Sequence, residues 1–245
     1  MADQAGDSRC WRHSGVHHYG VWEVSLRFIR SIVLIPAAAL MLGALTCSAQ
    51  EDGIATAPSL TADTSAWVHS VTVSYNSLRN QDDFVNAVMS AEKGSMHLEA
   101  RYNYEVLHSG SLFVGWKFSG GEKITYELTP IIGGVFGQKK GIAPGFEAAV
   151  VYGVVDFYTE AEYVRDVEAR QGSFTYDWSE LGFSLVDWLR FGFVGQRTKI
   201  YQNDRDIQRG LFAQIIHRKA TFGVYVLNPD DSENLISIFS IGAKF

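Results

Sequence analysis

The sequence predicts an all-β fold, a closed antiparallel up-and-down β-barrel that spans a membrane. Three observations lead to this expectation. Apolar and polar residues alternate with a period of two along most of the chain, turn-forming stretches separate the alternating segments, and the only long apolar run lies near the beginning. Successive side chains of a strand point to opposite sides of a sheet, so the alternation gives each strand one apolar and one polar face. A membrane barrel needs both faces, since one meets lipid and the other meets the lumen.

The segment 96–106 shows the alternation most clearly. Its apolar face carries Met96, Leu98, Ala100, Tyr102, Tyr104 and Val106. Its polar face carries His97, Glu99, Arg101, Asn103 and Glu105. A helix has 3.6 residues per turn and would scatter both sets around its axis. We therefore expect a strand.

The number of strands follows from counting such segments. They are 67–78, 96–106, 110–118, 123–136, 145–152, 155–166, 173–185, 188–201, 207–218, 220–228 and 234–245. Both chain ends of these barrels lie on the same side of the membrane, so the strand number should be even. We expect ten strands, all within residues 94–245, with 67–78 as an accessory strand. Twelve strands are the alternative, and would require a strand that this count misses.

Three local features refine this expectation. Residues 82–92 form the one segment beyond the N-terminal region whose pattern could be a helix, and residues 138–144 are polar enough for a loop. Apolar residues change face around 178–183 and 209–216, which predicts β-bulges there. Aromatic residues near strand ends suit interfacial girdles. They include Tyr102, Tyr104, Trp116, Tyr126, Phe157, Tyr163, Tyr176, Trp178, Trp188 and Tyr201.

The apolar run at residues 31–45 predicts export. Two arginines precede it and small residues follow it, which is typical of a secretory signal peptide. The run is too short for a membrane-spanning helix, which needs about 20 apolar residues. We place the signal peptide at 24–49 with cleavage after Ala49, a periplasmic leader at 50–66 and the barrel at 67–245. Residues 1–23 fit no signal peptide and are interpreted as an extension that does not belong to the native precursor.

Composition narrows the possible partners and cofactors. The chain has a net charge of −6, and the part after Ala49 carries 17 Lys and Arg against 24 Asp and Glu. We expect no binding to nucleic acid, because such binding depends on cationic contacts to phosphate. Both cysteines, Cys10 and Cys47, precede the expected cleavage point, so no disulfide is expected. We expect no cofactor and no metal, because the Cys10, His13, His17 and His18 cluster lacks a folded frame.

The last strand carries the most specific signal. Counting back in twos from Phe245 gives Ala243, Ile241, Phe239, Ser237 and Leu235. This strand resembles the C-terminal signature strand of bacterial outer-membrane proteins, and the chain as a whole looks like the small barrels of the OmpA-like class. The resemblance implies the outer membrane of a Gram-negative cell. It also implies that Phe239, Ile241 and Phe245 are read by the barrel-assembly machinery, after transit with periplasmic chaperones, and that outer-membrane lipid and lipopolysaccharide surround the barrel.

The polar face supplies the candidate functional residues. Those expected to face the lumen are His97, Glu99, Arg101, Glu105, Lys117, Glu127, Glu147, Glu160, Glu162, Arg190, Gln196 and Lys244. Barrels of eight strands are filled by their side chains and those of sixteen or more leave a water channel, so this barrel falls between. We expect a structural protein or a narrow passive pore. The alternatives are a barrel enzyme acting on outer-membrane lipid, for which His97 and Glu99 could pair, and a soluble periplasmic β-domain that binds a ligand. No motif nominates a catalytic residue.

Overall fold

The computed structural model describes residues 66–169, 172–200 and 205–245. The predicted extension 1–23, the signal peptide 24–49 and the leader up to residue 65 lie outside these residues. The described part contains thirteen strands. They are β1 (Val68–Leu78), β2 (Phe84–Lys93), β3 (Met96–Tyr102), β4 (Ser109–Trp116), β5 (Phe118–Gly120), β6 (Ile124–Gly137), β7 (Gly141–Tyr152), β8 (Val155–Asp166), β9 (Phe174–Val186), β10 (Leu189–Ile200), β11 (Arg205–His217), β12 (Ala220–Leu227) and β13 (Ile236–Lys244). Within the described residues, no helix is long and apolar enough to cross a bilayer.

Twelve of these strands close into one antiparallel ring. Neighbours in sequence pair with each other, β1 pairs with β13, and β4 pairs with β6 to complete the circle. The three-residue β5 lies outside the ring and continues the register of β4 along β6. The break between them lies opposite Pro130, which has no backbone N–H to offer the ladder. The barrel therefore has twelve strands, and the expectation of ten was wrong.

The missing strand is β2, where the sequence pattern allowed a helix at 82–92. The register of β2 with β1 and β3 puts Val85 and Met89 on the outer face and Ser90 and Glu92 on the inner face. Two neighbouring strands supply ladder partners along β2, and this tertiary pairing overrides a weak local helix preference. Residues 68–78 are likewise a full member of the ring and not an accessory strand.

The two ends of the barrel differ in their connections. Val68 and Lys244 lie at one end, which we call the terminal end. Its links are short: 94–95, 121–123, 153–154, 187–188 and 218–219. The opposite end, the loop end, has the longer links 79–83, 103–108, 167–173 and 228–235 and the three-residue link 138–140; residues 170–171 and 201–204 are outside the described residues. Short turns on one side and longer loops on the other are the pattern of outer-membrane barrels.

Two predicted segment boundaries are wrong at the loop end. The strand expected at 96–106 ends at Tyr102, because Asn103 has a φ of 53° and turns the chain inward. The loop expected at 138–144 is mostly strand, since β7 begins at Gly141. Pro144 lies within β7, and the pairing with β8 is interrupted beside it, as a residue without an N–H requires.

The outer face of the ring is apolar. Large hydrophobic side chains such as Leu112, Phe193 and Leu211 are more than half exposed, and they recur on every second position of their strands. Soluble proteins rarely expose contiguous apolar patches larger than a few hundred Å². A belt of this kind around a closed sheet fits lipid, and it argues against a soluble domain.

The inner face also holds apolar residues, which the alternation rule did not anticipate. One buried cluster contains Phe113, Ile131, Val135, Ala143, Val164 and Phe174. The other contains Val194, Phe212, Tyr225, Leu227 and Ile238. These inward residues explain why the apolar pattern changed face in the sequence. The register of β11 is unbroken, so no bulge lies at 209–216, and the irregularity between β9 and β10 lies at Leu189–Phe191 and not at 178–183.

Candidate functional site

The lumen is the candidate functional site, because the charged side chains of the barrel meet there. His97, Glu99 and Arg101 are almost fully buried on the inner face of β3. The register places the other sequence-derived candidates on the same inner surface. These are Lys117, Glu127, Glu147, Glu160, Glu162, Arg190 and Gln196 on strands or strand ends, Lys244 at the terminal end, and Glu105 in the 103–108 connection.

Arg101 is the centre of the largest charge cluster. Its guanidinium forms an ion pair with Glu99 and lies 3.5 Å from Glu162 and 3.8 Å from both Glu105 and Glu147. The rings of Tyr104 and Phe113 each lie 4.6 Å from its Cζ atom, within cation–π range. One cation thus joins carboxylates from β3, β7, β8 and the 103–108 connection across the lumen.

The 103–108 connection folds into the barrel and contributes to this cluster. Glu105 accepts a hydrogen bond of 2.6 Å from the Ser111 hydroxyl, and the Tyr104 hydroxyl donates to Glu160. Tyr176 packs edge-on against Tyr104 with ring centroids 5.7 Å apart. Tyr104 and Tyr176 therefore line the lumen and do not belong to an interfacial girdle, whereas Tyr102 is exposed on the outer face.

A second group of charges surrounds His97. Glu92 lies 3.2 Å from His97 Nδ1 and 2.7 Å from Lys117 Nζ, and Lys117 also reaches Glu127 at 3.2 Å. The distance from His97 Nε2 to Glu99 is 4.0 Å, too long for a hydrogen bond. The His97 partner is therefore Glu92, which sequence reasoning missed because Glu92 fell in the supposed helix.

A third group is built on Arg190 of β10. Arg190 Nη1 donates to Glu180 at 2.5 Å and to Gln214 at 3.0 Å, and its Nη2 donates to Asp156 at 2.5 Å. Gln214 in turn donates to the Tyr225 hydroxyl at 2.6 Å. Asp156, Glu180 and Gln214 were not among the predicted residues, although each has at least one outward apolar neighbour on its strand, such as Leu181 beside Glu180. Trp178, expected in a girdle, points inward and donates to Glu180 at 3.0 Å.

The inner wall formed by β13, β1 and β2 is different in kind. A patch of its inward residues is small and mostly hydroxylated: Ser70, Thr72, Ser74, Ser90, Ser240 and Gly242. We call this surface the hydroxyl wall. Ser70 and Ser90 share a hydrogen bond of 2.7 Å. Thr72 is exposed although it points inward, while Asn76, nearer the loop end, is only 6% exposed. The lumen is therefore open beside Thr72 and narrows beside Asn76.

The lumen is filled on the side opposite the hydroxyl wall. The gap lined by Arg101, Glu160, Glu162 and Tyr176 has no volume that admits a water molecule. The ionic cluster thus acts as packing on that side.

Comparison with known proteins identifies the fold. No family model and no curated protein sequence matches the chain. Among solved structures, it is similar to a KdgM porin with a TM-score of 0.56 and 11% identity, over 72% of this chain and 99% of the porin. A KdgM porin in complex with disordered oligogalacturonate matches with a TM-score of 0.53, 9% identity and the same coverage. At these identities the likeness concerns the fold alone: it supports an outer-membrane barrel and gives no support to the narrower OmpA-like class.

Proposed function

We propose that the protein resides in the bacterial outer membrane and acts as a narrow passive pore for small cations and neutral solutes. The observation that carries this proposal is the hydroxyl wall, where small inward side chains leave the lumen open beside Thr72. The apolar outer face and the likeness to porins support the membrane location. Outer-membrane lipid and lipopolysaccharide would then surround the belt, and the barrel-assembly machinery would insert the chain.

The charge of the lumen favours cations. Acidic groups outnumber basic ones on the inner surface of the described strands. The acidic groups are Glu92, Glu99, Glu127, Glu147, Asp156, Glu160, Glu162 and Glu180, and the basic ones are Arg101, Lys117, Arg190 and Lys244. A pore lined by one sign of charge raises the local concentration of the opposite ion. A polyanion such as the oligogalacturonate held by one KdgM structure would be repelled here.

The level near Asn76 sets the limit on solute size. Ile238 lies directly opposite Asn76 in the β1–β13 register, and both are buried. Tyr225 lies opposite Ile238 on β12 and is also buried. We expect hydrated monovalent ions to pass this level slowly and sugars to be excluded.

Conductance of the purified protein in a planar bilayer tests the proposal. We expect small single-channel currents and a reversal potential in a KCl gradient that indicates K⁺ preference. Thr72→Trp should reduce the current because the indole fills the open side of the lumen. Val73→Trp is the matched control, since Val73 points to lipid and the same side chain there should leave the current unchanged.

A second pair tests the narrow level. Ile238→Ala should increase the current because it removes bulk at the constriction, whereas Phe239→Ala on the lipid face should not. A closed trace for the wild type and for Ile238→Ala would refute the pore and leave a structural role. Anion preference would refute the selectivity while leaving the pore.

A further inference from the structure

We infer that His97, Glu99 and Glu147 form a binding site for a divalent transition-metal ion inside the lumen. One imidazole nitrogen and one carboxylate oxygen from each glutamate lie within 4.8 Å of one another. His97 and Glu99 are neighbours on the inner face of β3, and Glu147 comes from β7, which is separated from β3 by β4 and β6 in the ring. The site does not depend on whether the lumen conducts.

The state of His97 Nε2 points to a ligand independently of the acidic cluster. The residue is 3% exposed, and this nitrogen has no hydrogen-bond partner among the described residues. A buried polar atom without a partner is rare and costs free energy. Because Nε2 faces Glu99 at 4.0 Å, the missing partner would lie between these two side chains.

Neighbouring charged side chains orient the proposed metal ligands. Glu92 accepts the Nδ1 proton of His97 at 3.2 Å, which leaves the lone pair on Nε2 free for a metal, as carboxylate–histidine–metal arrangements require. Lys117 holds Glu92 at 2.7 Å. On the other side, Arg101 binds one oxygen of Glu99, so the second oxygen remains available.

The ligand set indicates which metals fit. One imidazole and two carboxylates suit Zn²⁺ and neighbouring first-row ions, whereas Mg²⁺ and Ca²⁺ prefer oxygen alone. Tetrahedral zinc, with bonds of about 2.0–2.2 Å, places its ligand atoms about 3.4 Å apart. The ligand atoms therefore need to move closer together than the 4.8 Å limit, and Glu147 is the least buried of the three, with its side chain 17% exposed beside Arg101. Three protein ligands leave the fourth position open to water or solute.

Cobalt binding to the purified full chain in detergent tests the inference. We expect one equivalent of Co²⁺ to produce visible absorption bands of a low-symmetry nitrogen and oxygen site, and Zn²⁺ to abolish them. His97→Ala and Glu147→Gln should each bind one equivalent less than the wild type. Glu92→Gln should bind about 10–100-fold more weakly, as expected when the carboxylate that orients a metal-binding histidine is replaced.

Matched variants separate the site from other metal ligands. His108→Ala, on an exposed connection, and Glu127→Gln, on the inner face but outside the triad, should retain wild-type binding. Each variant is first checked for the folded band on an unboiled gel. An equal number of Co²⁺ ions bound by the wild type, His97→Ala and Glu147→Gln would overturn the inference. The absence of saturable Co²⁺ binding in the wild type would also overturn it. Any Co²⁺ bound by Cys10 and the nearby histidines is the same in every variant.

Discussion

Replacing Arg101 should be the most destabilising single change in the lumen. The guanidinium is 2% exposed and faces carboxylates at 3.5, 3.8 and 3.8 Å, besides the closer Glu99. At an effective dielectric constant of about 20, each of the three longer contacts has a Coulomb energy of about 4–5 kcal/mol. Desolvation offsets most of this attraction in the native protein. Arg101→Met keeps the desolvation of the carboxylates but removes their counter-ion, so the free energy of unfolding should fall by about 3–5 kcal/mol.

Urea unfolding of the barrel in lipid vesicles, followed by the folded band on an unboiled gel, measures this change. Arg197→Met is the matched control, because Arg197 is half exposed and its ion pair among the described residues is with Asp177, and exposed pairs contribute about 0–1 kcal/mol. Adding Glu99→Gln to Arg101→Met should recover part of the loss, because one unpaired carboxylate is then removed. A loss below 1 kcal/mol for Arg101→Met would refute the counter-ion role.

Three further changes should have distinct outcomes. Gly192→Ala should lower the free energy of unfolding by about 1–3 kcal/mol, since a Cβ there would lie 1.9 Å from a carbonyl oxygen of β9, whereas Gly134→Ala should be neutral because nothing lies within 4 Å. Phe245→Ala should reduce the amount of assembled barrel in whole cells. The side-chain amide of Asn234 donates to Asp231 at 2.8 Å and lowers the pKa of Asp231. This hydrogen bond should therefore keep the 228–235 connection ordered at neutral pH. The connection should lose that order as the pH falls through the lowered pKa of Asp231.

Each of these has its own check. Urea unfolding compares the two glycine variants, and equal midpoints would contradict the contact described for β9. Phe222→Ala, another exposed aromatic on the outer face, should assemble normally; if it fails equally, the terminal position has no special role. The amide resonance of Asn234 reports on the 228–235 connection, and a transition unchanged in Asp231→Asn would contradict the assignment.

The alternation rule predicted most of the barrel because it reflects the environment of one face. Strands such as β3 and β13 were predicted correctly, since a lipid-facing strand has apolar side chains on every second residue. It failed for β2, where Ala87 and Ala91 on the outer face and Val88 on the inner face weaken the contrast. Neighbouring strands specify β2, and a single sequence does not display that pairing.

The rule also failed where the inner face is apolar. Phe212, Val194 and Leu227 point into the lumen, so their strands looked irregular in sequence although their register is regular. The charged residues of β3 were found because they alternate with lipid-facing neighbours. The sequence did not predict which of these charged residues lie together, because Glu147 comes close to His97 and Glu99 only through the curvature of the ring.

The pairing of β1 with β13 has a consequence for biogenesis. His69 and Phe245 exchange both backbone hydrogen bonds, at 2.7 and 2.8 Å, so the ring is closed at this point by the pairing of β1 with β13. Lipid provides no donors or acceptors for a sheet edge. In the outer membrane proposed above, the ring would therefore stay open until β13 is available to pair with β1.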